Sequence, residues 1–365
     1  MNIFKHGGNV WQEGGSPFEW NDFSANLNPD GVPPLMRQCI CDSINEIGFY
    51  PDVKMAETTE NFSEFLKFPA GNILPTNGGI GALQLIVDKE KPQKTIILQP
   101  AFVEYERLSK NIEAEIVNIP MMVSDKITYD ISTICAEMSD NSMVFICSPS
   151  NPLGSMIDED SLITILKQAE ESRSLVVLDE AFIDYCEDST KRNLIFEYDC
   201  LIVAGSLTKM FAIPGVRLGY ILGSESRIFR YKEFQTPWAV SAQGVGASRA
   251  LTRLTDFVKI SSEKNAIRRE AMAKKLEEVG FKVFPSSGNY LLVKIMTDAY
   301  GVNELQDFLK KSKILIRDCS NYHYLDNKYF RIGIKTETEN DLLAGELEKA
   351  DAYLNELYGD GKNID

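Results

Sequence analysis

Between about residue 70 and residue 245, short apolar runs alternate with longer amphipathic ones, and this alternation constrains the chain more than any other feature. Residues 95–99, 143–147, 175–178, 201–204 and 219–222 have the length and composition of buried strands. A strand that is apolar at successive positions must be covered on both faces, and the helix-length segments between these runs supply the cover. The pattern therefore predicts an α/β fold built on a mainly parallel sheet.

Polar motifs follow the ends of these strands. Pro100-Ala-Phe-Val-Glu-Tyr105 follows the first, Ser148-Pro-Ser-Asn-Pro-Leu-Gly154 the second, Asp179-Glu-Ala-Phe-Ile-Asp184 the third and Ser206-Leu-Thr-Lys209 the fourth. Ligands of open α/β sheets bind at the carboxyl ends of strands, so the four motifs are expected to converge on one crevice. The C-terminal third differs. A helix is expected over 262–280, capped by serine and ended by glycine, then strands at 290–293, 314–316 and 329–334 and a helix over 341–357. The expected organisation is an N-terminal arm and linker over 1–45 that joins the small domain, a large domain over 46–249 and a smaller α+β domain over 250–365.

Charge and composition exclude several functions. At 365 residues, 44% hydrophobic and 25% charged, the chain has the make-up of an ordinary globular protein. Its net charge of −15 argues against a nucleic-acid partner, though a local cluster of arginines can still hold a small anion. No apolar run approaches a membrane span and Met1-Asn-Ile-Phe-Lys lacks a signal-peptide core, so a cytoplasmic location is expected. The seven cysteines form no disulfide framework and are expected to be reduced and mostly buried. Cys39-x-Cys41 has no second pair and no nearby histidine, which speaks against a metal site.

Ser206-Leu-Thr-Lys209 followed by Arg217 carries the chemistry. A lysine just after a buried strand, with two hydroxyls before it and a guanidinium after it, suits a Schiff-base lysine with a phosphate anchored beside it. Pyridoxal 5'-phosphate (PLP) requires both; the alternative is a solvated lysine. Asp179 would hold the cofactor's pyridine nitrogen protonated, making the ring an electron sink, or else serve as a helix cap or structural ion pair. Asn151 could donate to the phenolic oxygen, or simply form an Asn-Pro turn. Gly78, Gly79 and Ile80 precede an apolar helical run and offer backbone amides to the phosphate beside Ser206, Thr208 and Arg217. Phe102 would supply a flat face to the ring, or be core. Tyr50, in Tyr-Pro-Asp, reads by itself as a turn residue. Arg317 and Arg331 follow or interrupt apolar strand sequence, where each must reach an anion, either a structural carboxylate or a carboxylate or phosphate of the substrate. His6 is solvated in a flexible arm, or it binds an anion or donates a proton.

These residues resemble a known family. His-Gly-Gly-Asn9, Asp22-Phe-Ser-Ala-Asn26-Leu-Asn-Pro29, Tyr50-Pro-Asp52, Val177-Leu-Asp-Glu-Ala-Phe-Ile-Asp184, the 206–220 segment, Gln235-Thr-Pro-Trp238 and Ile314-Leu-Ile-Arg-Asp-Cys-Ser-Asn-Tyr322 are similar to the fold-type I PLP enzymes of the histidinol-phosphate aminotransferase-like group. Within that group they look most like the threonine-phosphate decarboxylases of cobalamin biosynthesis. The resemblance implies a mainly parallel seven-stranded-type sheet in the large domain and Lys209 as the lysine that carries PLP. Asp179 would sit on the ring nitrogen and Asn151 on the phenolic oxygen, with Ser206, Arg217 and the Gly78-Gly79-Ile80 turn on the phosphate. It implies a homodimer in which Tyr50 comes from the other subunit. His6, Asn26, Arg317, Asn321 and Arg331 would line the site of a small phosphorylated amino acid. Two positions depart from the group's patterns. Phe182 stands where its aminotransferases usually carry tyrosine, as it does in the decarboxylases. Thr76-Asn-Gly-Gly-Ile-Gly81 lacks the hydroxyl and acid usual before the phosphate-cup helix. The competing readings are a histidinol-phosphate or related aminotransferase and a catalytically idle, ligand-binding relative.

Overall fold

The computed structural model describes residues 7–359. Seven strands form one sheet: β2 (Ile73–Asn77), β3 (Lys94–Gln99), β4 (Glu115–Pro120), β7 (Ser142–Cys147), β8 (Leu175–Asp179), β9 (Leu201–Ser206) and β10 (Leu218–Leu222). Their order is β2-β10-β9-β8-β7-β3-β4, and β10 alone runs against its neighbours. The five apolar runs predicted as strands are five of these seven. The other two escaped for physical reasons. β2 contains Pro75, which cannot donate to a ladder and is tolerated because β2 is an edge strand. β4, the opposite edge, mixes exposed Glu115 with half-buried positions and so lacks an apolar signature.

A second, four-stranded sheet has the order β11 (Lys282–Val283), β12 (Tyr290–Lys294), β15 (Tyr329–Gly333), β14 (Arg317–Asp318), all antiparallel. Its two faces go to different cores. Leu292 and Tyr329 join the core of the seven-stranded sheet, whereas Leu291, Val293, Phe330 and Ile332 join a separate core under the helices Val302–Lys310 and Glu337–Tyr358. The period-two alternation of the strands therefore makes this sheet a plate, one side of which is pressed against the larger body. The N-terminal segment joins the plate's core through a separate two-stranded sheet: β1 (Asn21–Asp22) pairs in parallel with β13 (Ile314–Leu315), and Phe23 is fully buried in the second core. A small hairpin, β5 (Met122–Val123) and β6 (Lys126–Ile127), projects beyond β4.

The helix expected from Ser262 begins at Thr255 and ends at Val279. Ser262 is not its cap; the hydroxyl donates to the Tyr185 carbonyl at 2.8 Å, a tertiary contact that local sequence cannot reveal. The predicted glycine terminator, Gly280, adopts φ +110°. All seven cysteines are free, but only Cys147, Cys200 and Cys319 are buried, fewer than expected. Among the described residues no helix is long and apolar enough to cross a membrane.

Candidate active site

Because β3, β7, β8 and β9 run in parallel, the segments that follow them emerge along one edge of the sheet. β10 runs the opposite way, so it is the residue before its start, Arg217, that reaches the same edge. Phe102, Asn151, Asp179, Ser206, Thr208, Lys209 and Arg217 thereby line one cavity, together with Gly79 and Ile80 at the start of the helix Gly78–Glu90. The packing at this edge leaves no room for side chains. A Cβ at Gly219 would lie 2.6 Å from the Gly78 backbone, and one at Gly78, itself at φ +72°, would lie 2.8 Å from the Arg217 guanidinium.

Asp179 is buried, with its carboxylate accepting from the Tyr105 hydroxyl at 2.6 Å and from the Ala181 amide at 3.0 Å. Burial raises its pKa, and the Tyr105 and Ala181 hydrogen bonds and the nearby Lys209 ammonium only partly oppose that rise. A cationic ring nitrogen is the partner that would complete its compensation. Tyr105 was not singled out in the sequence. It lies one helical turn after Phe102, which is the signal that it shares the site, and its ring stacks on Phe145 with centroids 4.8 Å apart. Ser206 Oγ and Thr208 Oγ1 stand 2.8 Å apart beside the Gly79 amide end of the helix. This hydroxyl pair, the guanidinium and the helix N-terminus form a donor set of the kind that holds a phosphate. Burial, Arg331 and Arg217 together lower the Lys209 pKa to about 8, against the pull of Asp179, so a minority of the amine, far larger than for an ordinary lysine, is free at neutral pH. The set fits PLP: a nucleophilic amine, a buried carboxylate and an anion cup on one wall.

A larger adjoining cavity shares Phe102, Asn151, Phe182 and Lys209 with the first, and its far wall belongs to the plate. Arg317 and Arg331 lie directly opposite each other on β14 and β15, so both project from the same face. Arg331 donates to Asn151 Oδ1 and, at 2.7 Å, to the Ser24 carbonyl; its guanidinium lies 5.5 Å from the centre of the Tyr290 ring. Asn151 is thereby oriented with its carbonyl toward Arg331. Arg317 donates to Asn321 Oδ1 at 2.9 Å and lies over Tyr322. Asn26 lines this cavity with a buried Oδ1 that has no hydrogen-bond partner among the described residues. Phe182 packs edge-on against Tyr290, 5.0 Å away, and offers no hydroxyl.

Tyr50 lies elsewhere. It is 81% exposed and stacks on Trp238 at 4.6 Å, outside both cavities. His6 falls outside the described residues.

A family model described as aminotransferase class I and II matches residues 19–347. The chain is 30% identical to a threonine-phosphate decarboxylase of Salmonella typhimurium, over 94% of this chain and 95% of that protein. Among solved structures, the histidinol-phosphate aminotransferase from Clostridium acetobutylicum superposes with a TM-score of 0.84 at 28% identity, covering 91% of this chain and 99% of the other. The L-threonine-O-3-phosphate decarboxylase from Porphyromonas gingivalis does so with a TM-score of 0.79 at 25% identity, over 90% and 98%.

Proposed function

The chain belongs to the aminotransferase class I and II family, and from that premise we propose that it removes the α-carboxylate of L-threonine O-3-phosphate, or of the related serine phosphate, as CO2. The product is an amino-alcohol phosphate for the cobamide nucleotide loop, (R)-1-amino-2-propanol phosphate when the substrate is threonine phosphate. PLP, when bound, accepts the electron pair left at Cα as the bond to the carboxylate breaks. Asp179 would hold its ring nitrogen, Asn151 its phenolic oxygen and Phe102 its ring face. Ser206, Thr208, Arg217 and the Gly78-Gly79-Ile80 turn would hold its phosphate.

The observation that carries the reading is the opposed pair Arg317 and Arg331, facing a cavity that also contains Lys209. Two guanidiniums side by side suit a substrate with two anionic groups, a phosphate and a carboxylate. Which bond at Cα breaks depends on which group these residues hold out of the plane of the π system, so their grip on the carboxylate and phosphate selects loss of CO2 over loss of a proton. Asn26, Asn321 and His6 complete that grip. Lys209 Nζ, with its lowered pKa, would return a proton to Cα after CO2 has left.

The protein acts in the cytoplasm as a homodimer, each site completed by Tyr50 of the partner subunit. Exposed Phe49, Tyr50 and Trp238 support this assembly. Amino transfer is the second reading, favoured by the high structural similarity to the Clostridium acetobutylicum aminotransferase. The absence of a hydroxyl at Phe182 weighs against it. The assay that separates them follows CO2 from threonine phosphate and amino transfer to 2-oxoglutarate in the same preparation. Release of CO2, abolished together with the bound-cofactor absorbance in Lys209→Ala, is expected; amino transfer without CO2 would overturn the reading.

A further inference from the structure

The hairpin β5–β6 makes a contact that the chemistry above does not use. Its turn residues Ser124 and Asp125 are both left-handed, at φ +49° and +60°, as a two-residue hairpin turn requires. This turn aims the Asp125 carboxylate at the plate. Asp125 accepts from Lys294 Nζ at 2.8 and 3.0 Å, from Lys282 Nζ at 3.0 Å and from the Tyr329 hydroxyl at 2.5 Å. The three donors stand on three adjacent strands in one register row: Lys282 is opposite Lys294 on β11 and β12, and Lys294 is opposite Tyr329 on β12 and β15. One carboxylate from the larger body therefore grips three of the plate's four strands.

The same register connects this row to the substrate wall. Tyr329 and Arg331 are two residues apart on β15, so they share a face and lie roughly 7 Å apart along the strand. Arg331 in turn pairs with Arg317. The gripped row and the row of arginines are consecutive same-face rows of one sheet, and that face is the one pressed against the larger body. Without Asp125, Lys282 and Lys294 would be directly opposed like charges, which destabilises a strand pair. Burial disfavours the Asp125 carboxylate, yet hydrogen bonds from Lys294, Tyr329 and Lys282 hold its pKa far below the ordinary range, so the contact persists throughout the neutral range.

We propose that Asp125 is a positioning residue: by clamping the Lys282–Lys294–Tyr329 row it sets the height and tilt of Arg331 and Arg317 over Lys209. The inference rests on the reading of those arginines as the grip on the substrate's anionic groups. Asp125 lines neither cavity, so its removal changes where the arginines stand and leaves the cofactor wall intact.

The test compares Asp125→Asn, Asp125→Glu and the unaltered holoenzyme in threonine phosphate kinetics and in amide hydrogen exchange at Tyr329–Gly333. Asp125→Asn is expected to raise KM about tenfold or more, with kcat within threefold and the bound-cofactor spectrum unchanged. Exchange in β15 should accelerate, and Asp125→Glu should largely restore both readouts. An unchanged KM in Asp125→Asn overturns the proposal, as does a loss confined to kcat or to cofactor binding. Failure of the unaltered enzyme to release CO2 counts instead against the functional reading. Hydrogen exchange needs no substrate and then decides: unchanged exchange in Asp125→Asn overturns the clamp, and faster exchange upholds it.

Discussion

The two walls of the candidate site are built in opposite ways. The Lys209 wall consists of segments that leave the ends of adjacent strands, and its groups are held by neighbours in the segments and helices that flank the same strand ends: Asp179 by Tyr105 and Ala181, Ser206 by Thr208, Arg217 against Gly78. The arginine wall belongs to a different sheet and is held largely by bonds that cross to other segments, from Arg331 to Asn151 and Ser24 and from Lys294 to Asp125. It also retains unmatched polar atoms, Asn26 Oδ1 and Arg331 Nε, which have no partner among the described residues. A wall formed around the strand ends of one sheet is set when that sheet and its covering helices fold. A wall formed by docking depends on the contacts that seat it. On the proposed reading, the cofactor chemistry belongs to the first wall and substrate choice to the second.

The largest way to break this contrast is to disable the first wall. Asp179→Asn removes the charge expected to face the ring nitrogen, and an uncompensated buried cation costs about 3–5 kcal/mol. A fall in kcat of roughly a hundredfold or more is expected, with little change in KM; steady-state CO2 release measures it. Loss appearing only in KM would place Asp179 on the substrate instead. The second wall should answer differently. Arg331→Gln removes one half of the anion grip and the donor to Asn151, for a loss of about 3 kcal/mol, near a hundredfold in kcat/KM and carried mainly by KM. Should kcat alone fall, the division between the walls is wrong.

A smaller effect sharpens the comparison, because Lys209 is influenced by both walls. Burial, Arg331 and Arg217 lower its pKa to about 8 and Asp179 opposes them. The free amine is the reactive form, so the rate at which cofactor-free protein captures PLP should rise as pH increases through about 8 and level off above it. Arg331→Gln withdraws a positive neighbour, so the midpoint should move upward. A stopped-flow absorbance series across pH reads that shift. A midpoint that stays in place would show that the arginine wall does not reach the lysine electrostatically.

The first wall was largely legible in the sequence. Parallel strands bring their carboxyl ends to one edge, so motifs after successive apolar runs had to meet, and Phe102, Asn151, Asp179 and Lys209 do line one cavity. Tyr105 was missed because a tyrosine within a helical pattern carries no local mark of the carboxylate it will reach. The second wall was legible only as residue types. Arg317 and Arg331 were conspicuous as charges within or beside apolar strands, but their opposition across β14 and β15 is a matter of register, which short strands do not encode locally. The hairpin carrying Asp125 left no sequence signal at all: two-residue strands are too short for periodicity, and Ser-Asp is an unmarked turn.

Residue order and polarity by themselves determined the α/β class, the five inner strands of the main sheet and the chemistry available at its edge, because burial on two faces and strand polarity follow from local pattern. The tertiary structure decided which face of the second sheet meets the first and at what register. It also decided which carboxylate holds it there. Those outcomes depend on contacts between segments more than a hundred residues apart, such as Asp125 with Lys294, which no local window contains. The segment from Ser206 to Arg217 determined what chemistry is available, and on the proposed reading the seating of the plate decides which anions are brought to it.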